Sequence, residues 1–145
     1  MIGYDQPVLL ERRVVAFIDI LGFRELVRRM DPEPDLAQRV HHALLGIRLK
    51  EDGIYEDEEH RVEMTSFSDS SVFSAPARQE TEILSPLTYL SRDLMTNGVL
   101  CRGAVVLGKA HHRERILFGP AIVAAYEAEL HVAKYPRIFV ADEVI

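Results

Sequence analysis

The run Arg13-Val14-Val15-Ala16-Phe17-Ile18-Asp19-Ile20 constrains this chain more than any other segment. It is apolar without a break from Val14 to Ile18 and rich in β-branched residues, which suits a central, buried strand. It closes on a carboxylate, Asp19, set between Ile18 and Ile20, where an unpaired charge is costly to bury. Asp69 holds a similar position, at the turn of Met64-Thr65-Ser66-Phe67-Ser68-Asp69-Ser70-Ser71-Val72-Phe73-Ser74. Two carboxylates on neighbouring strand ends can hold Mg²⁺ or Mn²⁺ together with a nucleoside triphosphate, activating a hydroxyl and stabilising a leaving pyrophosphate. Residue type alone leaves a second reading open, in which Asp19 caps the next helix and Asp69 is a turn residue. The apolar setting of Asp19 and the serines around Asp69 favour the site.

The remaining pattern supplies the frame. Leu21-Gly22 reads as a tight turn, and residues 23, 26, 27 and 30 are apolar at helical spacing. Asp31-Pro32-Glu33-Pro34 breaks that helix, and Asp35 is placed to cap a second one that carries Leu36, Val40, Leu44 and Ile47 on one face. The acidic stretch 51–59 reads as a solvated connection or a charged flap. A hairpin follows, Arg61 to Phe67 out and Ser71 to Ser74 back. A third helix spans 82–97, with Leu84, Leu87, Leu90 and Leu94 as its core stripe and Asn97-Gly98 as its stop. Val99 to Leu107 is a strand, Lys109 to Arg115 a polar hairpin tip, and 116–118 a short strand. Gly119-Pro120 opens a helix running to about Lys134, and 137–140 is a last strand.

This order contains βαββαβ, and the expected fold is α+β: a ferredoxin-like palm, an antiparallel sheet with helices packed mainly on one face. In that topology the first strand and the hairpin lie side by side, so Asp19 and Asp69 face one edge.

The chain has 145 residues, enough for one core. Residues 1–12 read as a lead-in and 13–145 as a single domain. The apolar and charged fractions, 48% and 28%, are ordinary for a globular protein, and the net charge of −6 argues against a duplex nucleic acid partner. A single cysteine, Cys101, excludes an internal disulfide; its apolar strand predicts burial, and it fits a reducing, cytoplasmic setting. No stretch reaches the about 18 apolar residues of a membrane span, so no membrane partner is expected.

Laid out in this way, the chain resembles the catalytic domain of class III nucleotidyl cyclases. Phe17-Ile18-Asp19-Ile20-Leu21-Gly22-Phe23 is similar to that family's F-x-D-I-x-G-F, and Ser68-Asp69 stands where the family has Gly-Asp. Arg102-Gly103-Ala104-Val105-Val106-Leu107-Gly108 resembles R-x-G-I-x-x-G. Phe118-Gly119, the following helix and Glu129 resemble W-G-x-x-V-N-x-A-x-R-x-E. The closing Arg137 to Val144 resembles I-x-V-S-x-x-V. The likeness covers about residues 13–145 and stops short of the elements that usually close the family's domain. It is closer still to a set of uncharacterised bacterial proteins that share I-D-I-L-G-F, S-D-S, R-G-A and F-G-P-A motifs.

The resemblance implies that Asp19, Asp69 and the Ile20 carbonyl hold two divalent metals. It implies that backbone N–H groups of Leu21, Gly22 and Phe23 meet the phosphates, and that attack on the α-phosphorus gives a cyclic nucleotide and pyrophosphate. It also implies a homodimer that completes each site. Two positions depart from the pattern: Val123 and Glu127 stand where the family has an asparagine and an arginine that steady the ribose and the transition state. The base-reading pair falls on Thr65 and Ile116. Arg102 and Lys109 are candidate substitutes for the missing cation, with His111, His112, Arg113 and Arg115 as a basic tip that can also be a plain solvated hairpin. The alternative to an enzyme is a degenerate module of the same fold that senses a nucleotide or mediates a protein interaction.

Overall fold

Strand β1 (Glu11–Ile20) is the axis of the molecule, with neighbours on both sides and buried side chains pointing both ways. The computed structural model describes residues 7–54 and 62–145, and within these all side chains except those of 44, 46–54 and 79–82. Helices α1 (Phe23–Met30) and α2 (Pro34–Ile54) follow β1, then strands β2 (Glu63–Phe67) and β3 (Ser70–Pro76), helix α3 (Glu80–Thr96) and strand β4 (Cys101–Arg113). Strand β5 (Ile116–Phe118), helix α4 (Pro120–His131) and strand β6 (Ile138–Val140) complete the chain. The sheet runs β2-β3-β1-β4-β5, antiparallel throughout, with β6 parallel beside β4. This is the expected ferredoxin-like α+β architecture.

Residues opposite one another in an antiparallel ladder share a face. The pairs Val14↔Leu107, Ala16↔Phe73 and Ile18↔Gly103 define the main core face. Helix α3 covers it with Ile83, Leu87, Leu90 and Leu94, all nearly solvent-free, and Ser91 touches Cys101 there. Each such leucine contributes roughly 1.5–3 kcal/mol by leaving water. Helix α2 packs on α3, and α1 on α2. The other face carries Phe17, Asp19, Ser70, Ser74, Arg102, Ala104 and Gly108. Helix α4 lies across it: Tyr126 meets the Phe17 ring edge-on at 5.4 Å. Close approach requires Gly108, where a Cβ would stand 3.2 Å from the Ala121 Cβ.

Strand β4 departs from expectation. It continues through Lys109 to Arg113 because Gly108, Lys109 and Ala110 still pair with Arg13, Arg12 and Glu11 of β1, which itself starts inside the segment read as a lead-in. The turn is only Glu114-Arg115, both at positive φ, a two-residue hairpin of the type that matches strand twist. The end of β4 also bends. His112 lies six residues beyond Val106, whose row includes Val15 and Ser74, so an uncurled strand would separate His112 from that row by about 20 Å. Yet His112 Nδ1 is 2.7 Å from Ser74 Oγ. The β4–β5 hairpin therefore curls back over the α4 face towards β3 and β2.

Smaller corrections are local. Asp35 sits in the first turn of α2, not at its cap, because the helix begins at Pro34. Leu36 and Val40 are buried as expected. Leu44 and Ile47 lie among the side chains not described. Helix α2 extends through Ile54 into the stretch read as a connection, and residues 55–59 lie outside the described residues. Val27 is exposed, so the buried stripe of α1 narrows to Leu26, with Phe23 and Met30 partly buried beside the core. Cys101 is buried, and burial pushes its thiol up.

Candidate functional site

Asp19 and Asp69 meet at one edge. The Ile20 N–H donates to the Asp69 carbonyl at 2.9 Å, tying the end of β1 to the β2–β3 turn. In that turn Ser68 takes a positive φ. Asp19 is pushed up from 3.8 to about 7, first by burial, then by a hydrogen bond with the Asp69 carboxyl and by its negative charge, then by Glu129; Arg102 pulls the other way. Two carboxyl groups share a hydrogen bond only if one holds a proton, the behaviour of a crowded carboxylate pair.

The β1–β4 register puts Arg102 opposite Asp19, with its Nε 3.9 Å from Asp19 Oδ2. The same Nε is ion-paired more closely with Glu129 Oε1, on a side chain only 3% exposed. Glu129 thus pairs with Arg102 rather than with a cation further along the chain such as Arg137. Arg137 instead donates to the Val132 carbonyl. The sequence held a signal for Glu129: Ala121, Ala125 and Glu129 fall four apart on the buried stripe of α4.

The turn after β1 offers fewer donors than expected. The Leu21 N–H is already spent on the Leu100 carbonyl at 2.8 Å. Gly22, at φ 65°, stands at the N-cap of α1, and among the described residues its N–H and that of Phe23 have no hydrogen-bond partner. Those two groups, at a helix N-terminus, can still bind an anion.

Other expected residues lie elsewhere. Lys109 pairs with Arg12, seven residues along β4 from Arg102, about 23 Å away along the strand. It is out of reach of Asp19 in the same chain. Thr65 lies on the sheet face of Asp19, two strands away, and its Oγ1 is 2.8 Å from His112 Nε2. His112 is not part of an exposed basic tip: it is 4% exposed, and burial, then the charge of Arg13, then His111 push it down to about 4. Arg113 and Arg115 remain exposed, as does Val123 on the outer side of α4.

The donor set fits a hard divalent cation. Asp19, Asp69 and Glu129 set three carboxylates against the single guanidinium of Arg102. All the carboxylate donors are oxygen, the chemistry Mg²⁺ and Mn²⁺ prefer. Among the described residues no cluster of three or more His, Cys, Asp or Glu is arranged to cage an ion. The pair would therefore hold a cation that keeps water and phosphate oxygens as its other ligands, as Mg²⁺ commonly does.

The order of the elements and their sheet make an architecture already seen in solved proteins. Two solved structures share it, each described as a bacterial light-regulated adenylyl cyclase. One aligns at a TM-score of 0.60 and 16% identity over 90% of this chain and 76% of its own. The other aligns at 0.60 and 15% over 97% of this chain and 45% of its own, so the chain spans less than half of that protein. At such identities the likeness is one of fold. No family model matches the chain, and no curated protein does. Among the described residues no helix is long and apolar enough to cross a membrane.

Proposed function

We propose that the protein is a nucleotidyl cyclase-like domain that binds a nucleoside triphosphate with two divalent cations, Mg²⁺ or Mn²⁺, at Asp19 and Asp69. The observation that carries this reading is the convergence of those two carboxyls, close enough that Asp19 is held near 7. Asp19, Asp69 and the Ile20 carbonyl hold the cations. The metals, when bound, lower the pKa of the attacking ribose hydroxyl and neutralise the triphosphate. The N–H groups of Gly22 and Phe23 meet phosphate oxygens at the start of α1, and Thr65 faces the base.

Arg102 is the local cation for the developing charge, steadied by Glu129. Because Lys109 is far along β4 from the Asp19 of its own chain, its role is to reach the site of a second copy. That assigns the active form to a homodimer. In-line attack of the ribose hydroxyl on the α-phosphorus, its proton passing to solvent, forms the cyclic ester bond, breaks the bond to the oxygen that bridges to the β-phosphate and releases pyrophosphate.

The test is pyrophosphate release from each of the four triphosphates with Mn²⁺, using a dimer verified by light scattering. Release that Asp19→Asn abolishes is expected. Mn²⁺-dependent binding with no pyrophosphate from any nucleotide would remove the catalytic half and leave a sensing module. No divalent-dependent binding would remove both.

A further inference from the structure

A second polar cluster lies on the same sheet face, apart from the carboxylate edge. Arg13, Ser74 and His112 are 6%, 0% and 4% exposed, values rare for such side chains unless they are fully hydrogen-bonded. Arg13 Nε donates to Ser74 Oγ at 3.0 Å. Ser74 Oγ lies 2.7 Å from His112 Nδ1, and His112 Nε2 lies 2.8 Å from Thr65 Oγ1. Four residues from four strands form one chain of hydrogen bonds, closed by the curled β4–β5 hairpin.

Its direction follows from donor arithmetic. A guanidinium only donates, so the Ser74 oxygen accepts from Arg13. The Ser74 hydrogen then needs an acceptor, and among the described residues His112 Nδ1 is the one within reach. A neutral imidazole that accepts at Nδ1 carries its hydrogen on Nε2. That hydrogen goes to Thr65 Oγ1. Thr65, having accepted, keeps its own hydroxyl hydrogen for a partner outside the chain of bonds. The neutral ring is consistent with its burial beside Arg13, which disfavours a second positive charge.

We propose that Thr65 is a specificity residue whose hydroxyl is set as a donor by the relay Arg13→Ser74→His112, so that it selects a base presenting an acceptor. This rests on the reading that Thr65 faces the base of a bound triphosphate. A fixed donor favours the keto oxygen of guanine or uracil over the amino group of adenine or cytosine, which would set two donors face to face. Thr65 is half-buried and on the face of Asp19; its partner Val72 lies two residues along β3 from Ser70, the partner of Asp19.

Two measurements on the full chain test the proposal. Long-range ¹⁵N–¹H NMR at pH 7 should show His112 protonated on Nε2 and bare on Nδ1. The opposite tautomer would mean that Thr65 donates to the ring, which overturns the relay. Equilibrium binding with Mn²⁺ should rank GTP and UTP about tenfold tighter than ATP and CTP, the scale of one hydrogen bond. Thr65→Ser should keep that ranking and Thr65→Val should erase it. Equal binding of all four by the unaltered protein overturns the proposal and leaves the nucleotide reading standing. Binding of none overturns that reading and the base assignment with it, while the tautomer still decides the relay.

Discussion

Replacing Asp69 by Asn should make the metal-free protein more stable at pH 8. Asp19 is raised from 3.8 to about 7 in the fold. Below pH 3.8 folded and unfolded chains both hold its proton, and there is no penalty. Between pH 3.8 and 7 the unfolded chain gives the proton up while the folded chain keeps it, so stability falls as pH rises. Above 7 the full penalty stands. The difference between 3.8 and about 7 corresponds to roughly 4 kcal/mol. Burial is the largest cause and survives the substitution; Asp69 supplies the next two. With 19% of the Asp19 side chain still exposed to screening water, the share removed with Asp69 is about 1 kcal/mol. Urea unfolding in EDTA, wild type against Asp69→Asn, should show that gain at pH 8 and none at pH 4. Mn²⁺ at a hundredfold excess over its Kd should then reverse the order, because binding adds about 2.7 kcal/mol to the wild type alone. A variant that loses the same stability at pH 4 and pH 8, with Mn²⁺ making no difference, would refute the shared carboxylate site.

Two further outcomes follow from the same face. His112 is lowered to about 4 from 6.5, so its contribution is complete above pH 6.5 and lost as pH falls through 4, by roughly 3 kcal/mol in all; Asp19 moves stability the opposite way over the same range, so the effect is read as the urea-unfolding stability of wild type minus that of His112→Gln, which should fall from pH 7 to pH 4. Glu129→Ala should cost about 3 kcal/mol by leaving Arg102 without its closest partner, and a loss under about 1 kcal/mol in thermal unfolding would show that the pair is open to water.

What could be read from residues alone divides along physical lines. β1, the hairpin and α3 were legible because each carries a local signal: a β-branched run, a short turn between strands, leucines at helical spacing. The meeting of Asp19 with Asp69 was legible one step further, since βαββαβ order puts β3 beside β1. Arg102 was marked as a candidate, but its place opposite Asp19 is a matter of register, and the Asp19↔Arg102 pairing appears only once β1 and β4 are aligned. The end of β4 was hidden for another reason. Lys109 to Arg113 is polar because β4 leaves the main core there, so the composition of a loop covers a strand whose partners are Glu11, Arg12 and the β5 hairpin.

That hidden curl changes the charge balance at the proposed site. Read as a loop, the segment 109–115 offers five basic side chains to a phosphate. Folded as it is, His112 is buried and neutral, and Lys109 lies about 23 Å along the strand from Arg102. Among the described residues, Arg102 is the cation whose charge reaches Asp19, and Glu129 already engages it. A triphosphate brings about four further negative charges, which a pair of divalent cations can offset while one guanidinium cannot. Nucleotide binding without divalent metal should therefore be undetectable even at low salt, where exposed cations alone would give their strongest attraction. Tight metal-free binding of a triphosphate would place the phosphates on the exposed Arg113 and Arg115, away from Asp19 and Asp69.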